Sequence, residues 1–174
     1  PYHPRTLSAV RHRAMVHAAM SNPSQAEADY RRVLVLNSSA DDDAREDLAI
    51  AANNLAVLLR ERGNLSEAQA MLARAVWVAR GVWGPTNWRT AMVQAQHASV
   101  LAAQQDFEDA ETKLLDAHAI LSTTLGDRHT ETRAVARELF NLYTSWDQAE
   151  GSTRHAGKAS RWQSILVGTS RPAR

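Results

Sequence analysis

Apolar residues return along this chain at a fixed interval. Ala14, Ala56 and Ala98 lie 42 residues apart, and Ala26, Ala68 and Ala110 keep the same spacing, 12 residues after the first set. That offset puts one small side chain on each of two successive helices, where their backbones must cross closely. Bulkier positions follow in the same register: Tyr30, Leu72 and Leu114, then Val33, Ala75 and Ala117 three residues later. An i, i+3 pair is one helical face, and a period of roughly 20–50 residues marks stacked units that bury their apolar faces on one another. The pattern predicts helices at 5–20, 24–37, 43–62, 66–83, 88–104, 108–125, 130–146 and 154–167, in four pairs.

The connections recur with the helices. Gly84-Pro85-Thr86-Asn87-Trp88-Arg89-Thr90 aligns with Gly126-Asp127-Arg128-His129-Thr130-Glu131-Thr132 and with Pro1-Tyr2-His3-Pro4-Arg5-Thr6. Gly closes one helix, Pro can open the next, and Thr falls in its first turns. Ser21-Asn22-Pro23-Ser24 and Gly63-Asn64-Leu65-Ser66 are the short links within pairs, with Ser66 the expected N-cap. The chain opens inside a loop of this kind, where an array would begin with a polar capping helix, so a fragment of a longer protein is expected. The fourth pair breaks register after Trp146, and its second helix is expected to start late.

Composition narrows the class. Hydrophobic residues make up 44% and aromatics only 6%, with Ala prominent, which favours helix over sheet. Cys is absent, so a disulfide framework and thiolate metal sites are excluded. No apolar run approaches the roughly 20 residues of a membrane span, and residues 1–8 lack the order of a signal peptide. A cytoplasmic protein with no membrane contact is expected. The charge is +1 overall, but residues 151–174 hold five bases, Arg154, Lys158, Arg161, Arg171 and Arg174, and no acid. The favoured expectation there is a solvated terminus, with 168–174 a flexible basic tail, over a contact to nucleic acid.

The run Asn53-Asn54-Leu55-Ala56-Val57-Leu58-Leu59, then Gly63 and Glu67-Ala68, resembles the 42-residue tetratricopeptide variant of kinesin light chains and many bacterial proteins. Gly84-Pro85 and His3-Pro4-Arg5-Thr6 resemble its inter-repeat loop, while Ser38-Ser39-Ala40-Asp41-Asp42-Asp43 lacks that signature and Trp88 stands where the variant has Pro. The resemblance implies an all-α, right-handed α-solenoid of about four helix pairs over residues 1–167. Leu125 to Thr132 followed by Leu142-Tyr143-Thr144-Ser145-Trp146 resembles the closing repeat of bacterial serine/threonine kinases with C-terminal repeat arrays. No Gly-rich loop, His-Arg-Asp or Asp-Phe-Gly occurs in the chain itself.

Candidate chemistry is sparse. His12 and His17 are five residues apart, so they do not share the face that metal ligands at i, i+4 would share. His129 recurs at the register of His3, which points to loop geometry. Asp41-Asp42-Asp43 lacks the alternating spacing of a calcium loop and fits the positive end of the helix it enters. Without a nucleophile elbow or phosphate-cradling glycines, neither catalysis nor a cofactor or metal is expected. Trp77, Trp146 and Trp162 are expected to pack inside; Trp83 and Trp88 flank the Gly84-Pro85 loop, where a small local core is favoured over exposed anchors.

The resemblance implies that the first helix of each pair lines a concave groove for a protein or peptide. Read relative to the register alanines, the candidates are Arg11, His12 and Met15 in the first pair and Asn53, Asn54, Val57 and Arg60 in the second. Gln96 and Ser99 follow in the third pair and Arg137 and Asn141 in the fourth. Asn54 is the foremost, because an amide offers donor and acceptor together and so matches a peptide unit. A scaffold in a larger bacterial signalling protein is the leading expectation; a structural spacer that stacks end to end into homo-oligomers is the alternative.

Overall fold

The computed structural model describes residues 4–36 and 42–168. Among them are eight α-helices and no strand: α1 Pro4–Ala19, α2 Pro23–Leu36, α3 Asp42–Glu61, α4 Leu65–Val82, α5 Trp88–Ala103, α6 Phe107–Leu125, α7 Thr130–Glu150 and α8 Ala156–Gly168. The loop at His3, the link at Ser38–Asp41 with its acidic cap, and the tail beyond Gly168 lie outside the described residues.

Two compact units divide the chain, Pro1–Pro85 and Thr86–Arg174. In the first, α1 pairs with α2 and α3 with α4, and both α1 and α2 pack on α3. In the second, α5 pairs with α6 and α7 with α8, and both α5 and α6 pack on α7. The six register alanines are completely buried, as are Tyr30, Leu72 and Leu114. A methyl group at each crossing leaves no room for a larger side chain, which is why the small residue recurs.

The turn inside each of the first three pairs is one motif repeated. Ser21, Gly63 and Gln105 all have positive φ, at 58°, 77° and 67°. After each, a backbone N–H reaches back to the preceding helix: Asn22 to His17 O at 2.8 Å, Asn64 to Leu59 O and Asp106 to Leu101 O both at 2.9 Å. This six-to-one bond satisfies carbonyls that the helix end leaves open. Only Gly63 is the residue that left-handed backbone prefers. The expected cap at Ser66 is corrected: α4 starts one residue earlier, with Asn64 at the cap position and Ser66 in the first turn.

The loop before α5 and the loop before α7 also match. Gly84 and Gly126 take φ of 92° and 89°. Three residues on, Asn87 accepts from the Arg89 N–H at 2.9 Å, and His129 accepts from the Glu131 N–H at 3.3 Å through Nδ1. His129 is thus the N-cap of α7.

In the fourth pair α7 runs to Glu150, four residues past its expected end, and Gly151 supplies the left-handed turn at φ 61°. The buried positions His155, just before α8, and Ala159 and Trp162 within it then repeat Ala110, Leu114 and Ala117 at a distance of 45 instead of 42. The same face is rebuilt three residues late, with the rings of His155 and Trp162 at two positions where the earlier repeat has alanine. Trp146 lies between Phe107 and His155, with ring centroids 5.4 and 4.1 Å away. Trp162 meets His118 edge-on at 4.7 Å.

Trp77 does not pack inside as expected: it is 79% exposed on α4. Its position is 42 residues after Val35, which is equally exposed, so the register puts both on the outward side of a second helix. Trp83 is half-buried, and Trp88 is exposed with the Arg89 guanidinium 5.5 Å from its ring centre.

Candidate functional site

In the first unit a cleft of about 350 Å³ opens between α1 and α3. Met15 and Ala18 of α1 form one wall, Val57, Leu58 and Glu61 of α3 the other, and Tyr30 of α2 and Asn54 the floor. That volume is at the small end of ligand pockets, roughly 300–1,000 Å³, so it suits one part of a larger partner.

A chain of polar bonds orients the floor. Asn53 Nδ2 donates to Asn54 Oδ1 at 3.2 Å, and Asn54 Nδ2 donates to the Tyr30 hydroxyl oxygen at 3.3 Å. The Asn54 amide is thereby held in one plane while keeping a second N–H and a second lone pair for a visitor. Tyr30 is almost wholly buried, and burial pushes its hydroxyl pKa up despite the Asn54 bond and the positive charge of Arg11. The hydroxyl therefore stays neutral. Asn53 Oδ1 is buried with no partner among the described residues, a cost that isolated buried acceptors usually avoid.

Arg11 is engaged elsewhere. Its Nε donates to Asp47 Oδ1 at 2.5 Å, and Ser8 Oγ donates to Asp47 Oδ2 at 2.5 Å. The Arg11 and Asp47 side chains are only 13% and 6% exposed, so this pair ties α1 to α3 beneath the surface. An acid in the buried stripe formed by Ala44, Asp47, Leu48 and Ala51 was the signal in the sequence for such a partner. His12 is exposed, with Nδ1 2.8 Å from the Ser8 carbonyl oxygen.

All eleven sequence candidates have some exposure. Of these, the cleft brings together Met15, Asn54 and Val57; Arg11, His12, Asn53 and Arg60 lie on the same two helices outside its lining. Ala18, Tyr30, Leu58 and Glu61 complete its lining. In the second unit Gln96 and Ser99 on α5 are half-buried, while Arg137 and Asn141 on α7 are exposed.

The second unit also has a cleft of about 410 Å³ between α7 and α8, lined by Phe140, Thr144, Asp147, Ser152, Ala159 and Gln163 among others. Asp147 accepts from the His155 N–H at 2.8 Å, from His155 Nδ1 at 3.0 Å and from Ser152 Oγ at 3.2 Å. Burial pushes its carboxyl pKa up, but these donors outweigh that and leave it below the usual value. Nearby, Glu111 Oε1 accepts from Tyr143 and from Lys158, each at 2.6 Å. Lys158, one of the five bases of residues 151–174, is thus paired, and α8 is docked on the unit's core through Ala159 and Trp162. No group of described side chains could hold a metal ion, and no described helix is long and apolar enough to cross a membrane.

The tetratricopeptide repeat family model matches residues 5–80. No curated protein matches the chain. Among solved structures, BtubC (BKLC) from P. vanneervenii aligns with a TM-score of 0.75 at 16% identity, covering 96% of this chain and 63% of that one. The chain therefore spans less than two thirds of that relative's length. A kinesin light chain-like protein of nearly identical TPR-like repeats from Podosopora anserina gives a TM-score of 0.75 at 18% identity, covering 98% of this chain and 80% of that one. At such identities the likeness concerns the fold alone.

Proposed function

Since this chain is a tetratricopeptide-repeat protein of the 42-residue, kinesin light chain-like type, a repeat class that mediates protein–protein interaction, we propose that it is a non-catalytic scaffold. Its α1–α3 face holds an extended polypeptide, as the recruitment region of a larger bacterial protein in the cytoplasm. The observation that carries this reading is the cleft with Asn54 on its floor. Apolar walls from Met15, Val57 and Leu58 take one side chain of the partner while the oriented amide bonds its backbone. Glu61 at the rim favours a basic neighbour in the bound segment. Arg11 and Asp47 act below, keeping α1 and α3 at the spacing the cleft needs.

A random-peptide phage library panned on the immobilised chain tests this. Enriched peptides should lose roughly tenfold or more in affinity on Asn54→Ala and on Met15→Glu, the loss typical of a central contact. A panning in which every enriched peptide is indifferent to both substitutions would refute it. Concentration-dependent association in sedimentation, unchanged by Asn54→Ala and with no peptide enriched, would put the stacking spacer in its place.

A further inference from the structure

The outward side of α4 has a use that the cleft does not supply. Ala70, Ala73, Arg74, Trp77, Arg80 and Gly81 are all exposed. At about 100° per residue they form one arc with Trp77 at its centre. Arg74 and Arg80, three residues before and after, stand on either side of the indole, and the small residues make a low platform around it. A Cβ at Gly81 would meet nothing within 4 Å, so packing does not require glycine there.

Charge sets this arc apart from the rest of the unit. The only acid of α4 is Glu67 in its first turn, and it is bound to Arg31 at 2.6 Å. Arg11, Arg13, Arg31 and Arg62 are each held by a carboxylate. Arg74 and Arg80, the only bases of α4, form no ion pair with any described residue. The preceding repeat shows the same pairing of types: Arg32 and Val35 are exposed on α2, 42 residues before Arg74 and Trp77. The succeeding repeat has Asp116 and Ala119 at those positions, with the charge reversed and the bulk gone. The feature belongs to the first unit and is not a by-product of the register.

We propose that the outer face of α4 is a second docking surface, for an acidic polypeptide that covers Trp77 with an apolar patch and sets carboxylates against Arg74 and Arg80. Trp and Arg are the side chains that most often anchor interfaces, and an indole between two cations left without counter-charges is complementary to apolar surface rimmed by acids. This surface and the cleft lie on different helices, so both can be engaged by one partner or by two.

Phage-displayed random peptides panned on the full chain, with enriched sequences then titrated by fluorescence anisotropy, test the proposal. A class of peptides rich in Asp and Glu around Leu or an aromatic should appear. It should weaken by at least about tenfold on Trp77→Ala, the loss expected at a hot spot. It should vanish on Arg74→Glu/Arg80→Glu, weaken with salt, and be unchanged by Asn54→Ala, which separates it from binders of the cleft. Arg74, Trp77 and Arg80 are exposed, and an unchanged circular dichroism spectrum confirms the fold of each variant. Enrichment of no acidic peptide class, or of acidic peptides that ignore Trp77→Ala, would overturn the proposal. Trp77-dependent sedimentation with phosphatidylserine vesicles and no acidic peptide class would overturn it in favour of a lipid surface.

Discussion

Replacing Arg11 with Ala should damage the fold before it damages binding. The Arg11–Asp47 pair is almost out of solvent, and breaking one side of a fully buried pair costs about 3–5 kcal/mol, because the remaining charge is left uncompensated. Here the carboxylate keeps the Ser8 hydroxyl, and the small residual exposure lets water in. The expected loss for Arg11→Ala is therefore about 2–3 kcal/mol. Asp47→Ala should cost less, about 1–2 kcal/mol, since the Arg11 guanidinium still has Met15 Sδ and His12 Nε2 at 3.3 Å and can reach water. The double variant removes both charges and should be little worse than Arg11→Ala alone, giving a coupling of at least about 1 kcal/mol. Urea unfolding followed by circular dichroism, compared through midpoints at a common slope, measures all four corners of the cycle. Two single losses that simply add, or an Arg11→Ala loss below about 0.5 kcal/mol, would refute the inference that this pair braces α1 against α3. A binding defect in Arg11→Ala is consequently evidence about the cleft only if Asn54→Ala, which breaks no ion pair, shows it too.

Gln105→Gly should raise stability by about 0.5–1 kcal/mol by relieving a left-handed residue, and Gly63→Ala should lower it by about 1 kcal/mol; thermal unfolding reads both. Trp162→Ala, which empties the core where α8 meets His118, should cost about 3–5 kcal/mol and strip hydrogen-exchange protection from α8 first. Glu111 gives a pH dependence: burial pushes its carboxyl pKa up, but donation from Lys158 and Tyr143 prevails and holds it below the usual glutamate value. A depressed carboxylate stabilises the fold above its unfolded pKa and loses that contribution as pH falls through the folded value. Unfolding midpoints of the native chain should therefore decline with acid below about pH 4.5, and Lys158→Met should flatten that decline.

Much of this architecture could be read from spacing alone, because a repeat must present the same small and bulky residues at each crossing. The helix starts fell within about two residues of their expected positions, with α7 the main exception at its end. Gly63 announced a turn that Ser21 and Gln105 hid, since neither residue advertises positive φ, and only the shared register joins the three. Within the site, Asn54 was legible as an amide on an exposed helical face. The Tyr30 hydroxyl was not: a residue counted as core by periodicity still has a polar tip, and what that tip meets depends on the neighbouring helix.

The interval of 42 residues therefore determined that helices form, how they pair and which side chains enter the core, because burial of an apolar stripe is set by order along the chain. Tertiary structure decided where long polar side chains end: Arg11 on Asp47 and Lys158 on Glu111. These side chains span several ångströms beyond their own helix, so their partners lie on other helices and no local spacing encodes them.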